Sequence, residues 1–381
     1  MQKTLKAFIQ ENTAQMHTLL RELCQIPAPS YAEDARAAYC KAYLESIGAK
    51  GVTIDEAKNV LFPLGCEGSS EITVVVSHTD TVFPDTEPMP YREENGRVYC
   101  PGVGDDTASL VVMLLTAKYF LQNGLAPKGG LLFVCNSCEE GLGNLFGTRT
   151  FMEAYKGRVK QFVSYDSPRF ATVNDECVGS HRYEVEAITE GGHSYLAFGN
   201  RSAVLSLAEM ISAIYAIKIP QKAGSKTTLN VGIIEGGTSV NTIPQSAKML
   251  CEYRSNDKEC MAFMQKEFAR IFREADCAHT KVQVKMIGDR PCAGDVDPAA
   301  LKALIDTCCE VIEETTGTKV CFTPSSTDCN IPLAMGIPAV CISVYEGAGM
   351  HTREEYVELD SLPTGLEISI KAMCKLTEVQ A

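Results

Sequence analysis

Five side chains able to hold a metal recur at one kind of position in this sequence. His78, Asp105, Glu140, Asp166 and His351 each stand just beyond, or in the loop after, an apolar run of the type a buried strand shows. Two imidazoles and three carboxylates make a mixed nitrogen and oxygen set suited to two divalent ions of zinc type. A carboxylate can bridge two cations about 3.5–4 Å apart, the spacing of two-ion hydrolytic sites. Glu139 directly precedes Glu140, so one carboxylate can hold a metal while the other handles a proton. Asp80, two residues after His78, is placed to orient a ligand imidazole. Plainer readings exist for each: a solvated acidic turn at Glu139-Glu140, a hydrogen-bonded His78, a helix cap at Asp105-Asp106, a turn at Asp166, a surface loop at His351. Agreement of position and chemistry across all five favours the metal site.

Residues so far apart meet only if a sheet gathers strand ends on one edge. Leu131–Val134 is an apolar run that ends in CEEGLG, where glycines let the chain turn sharply. Further strands are expected near Val60–Leu64, Ile72–Ser77 and Gln161–Tyr165, and after Pro291 near Val320–Phe322 and Pro338–Ser343. Helices are expected over 5–24, 108–121 and 298–315 and from about Pro363, with another opened by a capping box at Ser30 and Glu33 and running to about Ile47; Val82–Tyr99 reads as loop. This alternation predicts an α/β fold, a mostly parallel sheet flanked by helices. Between these parts the order changes to strand 181–190, helix 202–217, strands 228–235 and 246–254, helix 257–275 and strand 281–288, the ferredoxin-like split motif. The expected organisation is a catalytic domain over 1–179 and 290–381, with an α+β lid or dimerisation domain over 180–289 inserted in it.

Composition narrows the function. A formal charge of −13 on 381 residues argues against nucleic acid or an anionic membrane as partner. No apolar run is long enough to span a bilayer, and the opening MQKTLKAFIQEN lacks a signal-type apolar core, so the expected compartment is the cytoplasm. The 17 cysteines show no disulfide or zinc-finger spacing, and reduced, mostly buried thiols are expected.

The segments SHTDTV (77–82), GVGDDTASL (102–110), CEEGLG (138–143), YDSP (165–168) and the His351 loop resemble the signatures of the di-zinc metallopeptidase family that includes peptidase T, aminoacylases, a folate-glutamate carboxypeptidase and succinyl-diaminopimelate desuccinylase. The resemblance implies a di-zinc exopeptidase-type catalytic domain and two divalent ions, zinc first, with cobalt or manganese as alternatives. It implies that Asp105 bridges both ions, that Asp166 joins His78 at one and His351 joins Glu140 at the other, and that Glu139 is the general base for a metal-bridging water. A cis peptide after the bridging aspartate, here Asp105–Asp106, is often part of the pattern. In the lid it implies that His193 and Asn241 steady the oxyanion and that Arg254 meets a substrate carboxylate; hairpin, turn and ion-pair roles are the plain alternatives. Aspartate at 166, where deacylases and carboxypeptidases tend to carry glutamate, leans towards removal of an N-terminal residue from a short peptide. The lid's NTIP segment leans instead towards an N-acyl amino acid deacylase or desuccinylase. A non-catalytic metal- or peptide-binding homologue is the third reading, and it expects a lost ligand or base. A homodimer through the lid is expected by the same resemblance.

Overall fold

The computed structural model describes residues 4–380. They divide into two compact units, one ending at Cys177 and resuming at Gly294, the other running from Val178 to Ala293.

The first unit is built on an eight-stranded sheet. Its order is Thr53–Ile54, Val60–Leu64, Leu131–Asn136, Ile72–His78, Val159–Tyr165, Ala339–Ile342, Thr172–Asn174, Cys321–Phe322. The four strands in the middle run parallel, and the strand-forming apolar runs Ile72–His78 and Leu131–Asn136 are buried throughout. A strand covered on both faces has no polar side to show, which is why these runs read as continuously apolar. Helix Ser109–Gln122, apolar on nearly every side, contacts the sheet and helices Leu5–Cys24 and Leu362–Leu376. Helix Leu5–Cys24 buries the helically spaced Phe8, Met16, Leu19, Leu20 and Leu23 against it. Parallel strands share a direction, so His78, the turn after Asn136, and Asp166 leave the sheet at the same edge.

Two expectations need correction. The stretch read as loop contains a hairpin, Arg92–Glu94 with Arg97–Tyr99, turned by Asn95 and Gly96, both at positive φ. It extends into a small antiparallel sheet with Tyr356–Glu358 and Gly347–Ala348, the strands that flank His351. The Ser30–Glu33 capping box does not form. Helix Asp34–Ser46 starts without a side-chain cap, and both residues turn to the strand ends instead.

The second unit has four antiparallel strands in the order Thr227–Gly236, Ser246–Ser255, Gly179–Ile188, Lys281–Arg290. Numbered along the chain this is second, third, first, fourth, the arrangement of the split motif. Helices Ala203–Tyr215 and Lys258–Ala275 share one core with the sheet, including Val185, Leu207, Met249, Tyr253 and Phe268. All cysteines are free, and only Cys277 and Cys321 are exposed. Among the described residues no helix is long and apolar enough to cross a membrane.

Candidate metal centre

Asp105 is the pivot of the site. Its Oδ1 lies 2.9 Å from His78 Nε2 and its Oδ2 lies 3.1 Å from His351 Nε2, so each oxygen faces a different imidazole. His351 Nε2 is also 3.2 Å from Glu140 Oε1. Donor atoms of His78, Asp105 and Glu140 lie within 4.8 Å of one another, as do those of His78, Glu139 and Asp166. The sequence-derived set of His78, Asp105, Glu139, Glu140, Asp166 and His351 is therefore gathered in one place. Glu139 stands closer to the donors than a base flanking them requires, since its carboxylate belongs to the His78–Asp166 group.

The backbone that presents these groups is gripped by other carboxylates. Asp80 accepts from Glu139 N with one oxygen and from Glu140 N with the other, each at 3.0 Å, and its carboxylate also takes the Ser30 hydroxyl at 2.6 Å. His78 Nδ1 lies 3.0 Å from the Asp80 carbonyl and 3.4 Å from its carboxylate. Asp80 thus orients His78 and both glutamates, the place of a positioning group. Glu33 accepts from the N–H and thiol of Cys138, a residue at φ 54° that starts the glutamate turn. Asp106, joined to Asp105 by a cis peptide, accepts from His78 N and the Ser77 hydroxyl. It therefore does not cap helix Ser109–Gln122, the plainer role open to it from sequence. Asp328 takes Asn136 Nδ2 at 2.6 Å and the Thr148 hydroxyl, tying the end of the Leu131–Asn136 strand.

Carboxylates at this density disturb one another's ionisation. Burial, and then the Asp105 charge, pushes Glu140 up to about 7 and holds Asp166 well above the usual carboxylate range. Burial would also raise Asp105, but hydrogen bonds from His351 and His78 hold it well below. His351 is raised to about 11 by Asp105 and Glu140. Burial alone would lower His78, yet Asp105, Asp80 and Asp106 outweigh it and raise this imidazole too. These carboxylates hold both imidazoles towards the protonated form, and divalent cations binding the same nitrogens would displace those protons. Glu140 Oε1 is buried and accepts no directed hydrogen bond, the condition of a lone pair suited to a cation. On both counts the residues fit two ions bound by nitrogen and oxygen.

The candidate lid residues are arranged differently. Gly192–His193 pairs with Thr242–Ile243, and Ser194 N donates to Asn241 O at 2.9 Å, which brings His193 and Asn241 together. The N–H groups of Tyr195 and Leu196 lie 3.2 and 3.4 Å from His193 Nδ1. With Nδ1 accepting there, Nε2 is the ring's donor atom. Arg254 is not near them. It pairs with Ser180 at the far end of the sheet from Ser246, eight residues or roughly 27 Å along the strand, and its guanidinium is held by Glu252 at 2.8 and 3.1 Å.

Ser30, Glu33, Asp106 and Asp328 hold the strand ends and turns around the site, contacts that local sequence did not reveal. Ser30 and Glu33 were hidden by their fit to a capping pattern.

A model of the family described as "Peptidase family M20/M25/M40" matches residues 74–375. Carboxypeptidase G2 of Pseudomonas sp. (strain RS-16) is 23% identical over 350 residues, which cover 89% of this chain and 83% of that protein. Acetylornithine deacetylase of Myxococcus xanthus is 27% identical over 235 residues, 57% of this chain, and the match spans only 60% of that relative's length. The crystal structure of aminopeptidase PepT from Bacillus cereus ATCC 10987 aligns with a TM-score of 0.72 at 20% identity, covering 96% of this chain and 99% of that one. At that identity the likeness is one of fold.

Proposed function

The chain belongs to peptidase family M20/M25/M40, and is thus a metal-binding hydrolase of metallopeptidase type; on that premise we propose that it releases the N-terminal residue from short peptides at a centre of two divalent ions, zinc first. The observation that carries this reading is Asp105 facing one imidazole with each carboxylate oxygen, beside the adjacent Glu139 and Glu140 carboxylates.

His78, Asp105, Glu140, Asp166 and His351 would hold the two ions, whose Lewis acidity would polarise the scissile carbonyl and acidify the attacking water. The chain's own residues do the rest. Glu139 takes the proton of the attacking water and returns it to the leaving amine. Asp80 fixes the direction of that carboxylate through Glu139 N, and keeps His78 turned to Asp105. His193 offers Nε2–H to the oxygen that becomes negative as the carbonyl is attacked. A free α-amine is a cation, and an acidic site positions it better than the neutral nitrogen of an acylated substrate. Aspartate at 166 supports the same choice through the resemblance noted above. The likeness to acetylornithine deacetylase keeps deacylation of N-acyl amino acids as the second reading. Digestion of a tripeptide set beside N-acetyl amino acids decides between them, and cleavage of the acetylated set alone overturns ours.

A homodimer through the second unit is part of this proposal. Arg254 stands roughly 27 Å along its strand from Ser246, the end that follows the His193–Asn241 pairing, too far for a short peptide to touch both. The edge strand Thr227–Gly236 also shows Ile233 and Ile234 to solvent at 49% and 55%. Sedimentation of the full chain tests it.

A further inference from the structure

Glu355 has no place in the chemistry above, yet it is 1% exposed and makes three hydrogen bonds. Its Oε2 accepts from Gly102 N, and its Oε1 from Gly104 N and Asp105 N, all at 2.8 Å. Every donor is a peptide N–H of the loop that carries Asp105. Among the described residues no lysine, arginine or histidine pairs with this carboxylate. Burying an acid without a cationic partner is expensive, so its place here calls for a reason other than packing. The backbone around it supplies one. Glu355 lies four residues after His351, its N–H donates to Thr352 O, and its carbonyl accepts from Cys100 N at 3.2 Å. One residue therefore belongs to the His351 turn by its main chain and to the Asp105 loop by its side chain. Gly104 shows how close the contact is. A Cβ there would stand 3.0 Å from Glu355 Oε1 and 2.8 Å from Tyr345 Oη.

We propose that Glu355 is a positioning residue that ties the Asp105 loop to the His351 turn, so that the two ion pockets, which share Asp105, form as a pair. The inference rests on the two-ion reading of the site and adds a residue that touches neither ion nor substrate. Asp105 placed without this tie would lose its alignment with His351 first, because both ends of that contact move.

The test is zinc titration of the metal-free full chain against a chromophoric chelator, wild type beside Glu355→Gln, with thermal unfolding of both metal-free proteins. Glutamine keeps the shape but can serve only one side of the loop as acceptor. Wild type is expected to bind two ions, and the variant to bind at least one of them about 10- to 100-fold more weakly, the usual effect of losing a group behind a ligand. Turnover should recover as zinc is raised, and Glu355→Asp should restore part of the affinity. Two ions at wild-type affinity in Glu355→Gln overturn this inference alone, as does a lowered unfolding temperature with unchanged affinity. Fewer than two ions in wild type overturn the two-ion reading and this inference with it. Should Glu355→Gln not fold, Gly104→Ala presses on the same carboxylate and should weaken zinc by a similar factor; unchanged affinity there counts equally against the tie.

Discussion

The two units hold their candidate residues in opposite ways. In the first, His78, Asp105, Glu139 and Glu140 are all at most 5% exposed, while Asp166 is partly buried and His351 is exposed, and nearby peptide groups are clamped by Asp80, Asp106, Glu33 and Glu355. In the second, His193 and Asn241 are exposed, on a two-residue pairing, beside Tyr195, Phe198 and Val240 at 84%, 91% and 102% exposure. Buried groups fixed by hydrogen bonds are preorganised for ions and for charge development. Exposed groups on a short turn are available to something that arrives. The contrast separates donors held in a hydrogen-bonded, largely buried cluster from side chains held only by a short, exposed turn.

The comparison breaks most readily at Asp105. If the first unit is a single two-ion machine, chelation should abolish activity and zinc, cobalt or manganese should restore it. Asp105→Ala should lose both ions, whereas His351→Ala should mainly weaken one. Metal analysis finding two tightly held ions in Asp105→Ala would remove the pivot.

Glu139→Ala asks whether that residue is base or ligand. Its place in the His78–Asp166 group makes the question sharp. As the base, its loss should leave two ions bound and reduce turnover by roughly 10²- to 10⁴-fold. Loss of an ion together with activity would move Glu139 into the metal shell.

A smaller effect is expected in the second unit. His193→Ala should keep both ions and the fold, and reduce turnover by roughly 10²- to 10³-fold, as removal of one oxyanion donor does. Unchanged turnover would return His193 to the role of a turn residue.

What could be read from sequence follows the same division. His78, Glu140 and Asp166 were legible because parallel strands deliver their ends to one edge, so a polar residue after an apolar run has a known address. The lid's element order was legible for a similar reason, since apolar periodicity marks each strand and helix. Glu355 and Glu33 were not, because a carboxylate that grips distant peptide N–H groups leaves no local pattern; Glu33 even satisfied the wrong one. The hairpin at Asn95-Gly96 was signalled by its turn pair but lies among charged residues that suppress the strand signal. Arg254 lies at the far end of the ten-residue Ser246–Ser255 strand from the His193–Asn241 turn, a separation that residue type and motif do not reveal.

That separation sets the last prediction, on the two termini of the substrate. The α-amine of a peptide would meet carboxylates in the buried site, where a charge-assisted hydrogen bond contributes about 1.5–3 kcal/mol. Acetylating a tripeptide's N-terminus should therefore lower kcat/KM by roughly 10- to 150-fold. The carboxylate end has a weaker claim. Arg254 is partly exposed and already engaged by Glu252, and an exposed ion pair contributes about 0.2–1 kcal/mol. Amidating the C-terminus should then change kcat/KM by about fivefold at most, and Arg254→Ala should remove that difference. The ordering matters more than either factor. If amidation costs more than acetylation, recognition is centred on the carboxylate, and the choice of an N-terminal exopeptidase gives way to a carboxypeptidase or deacylase.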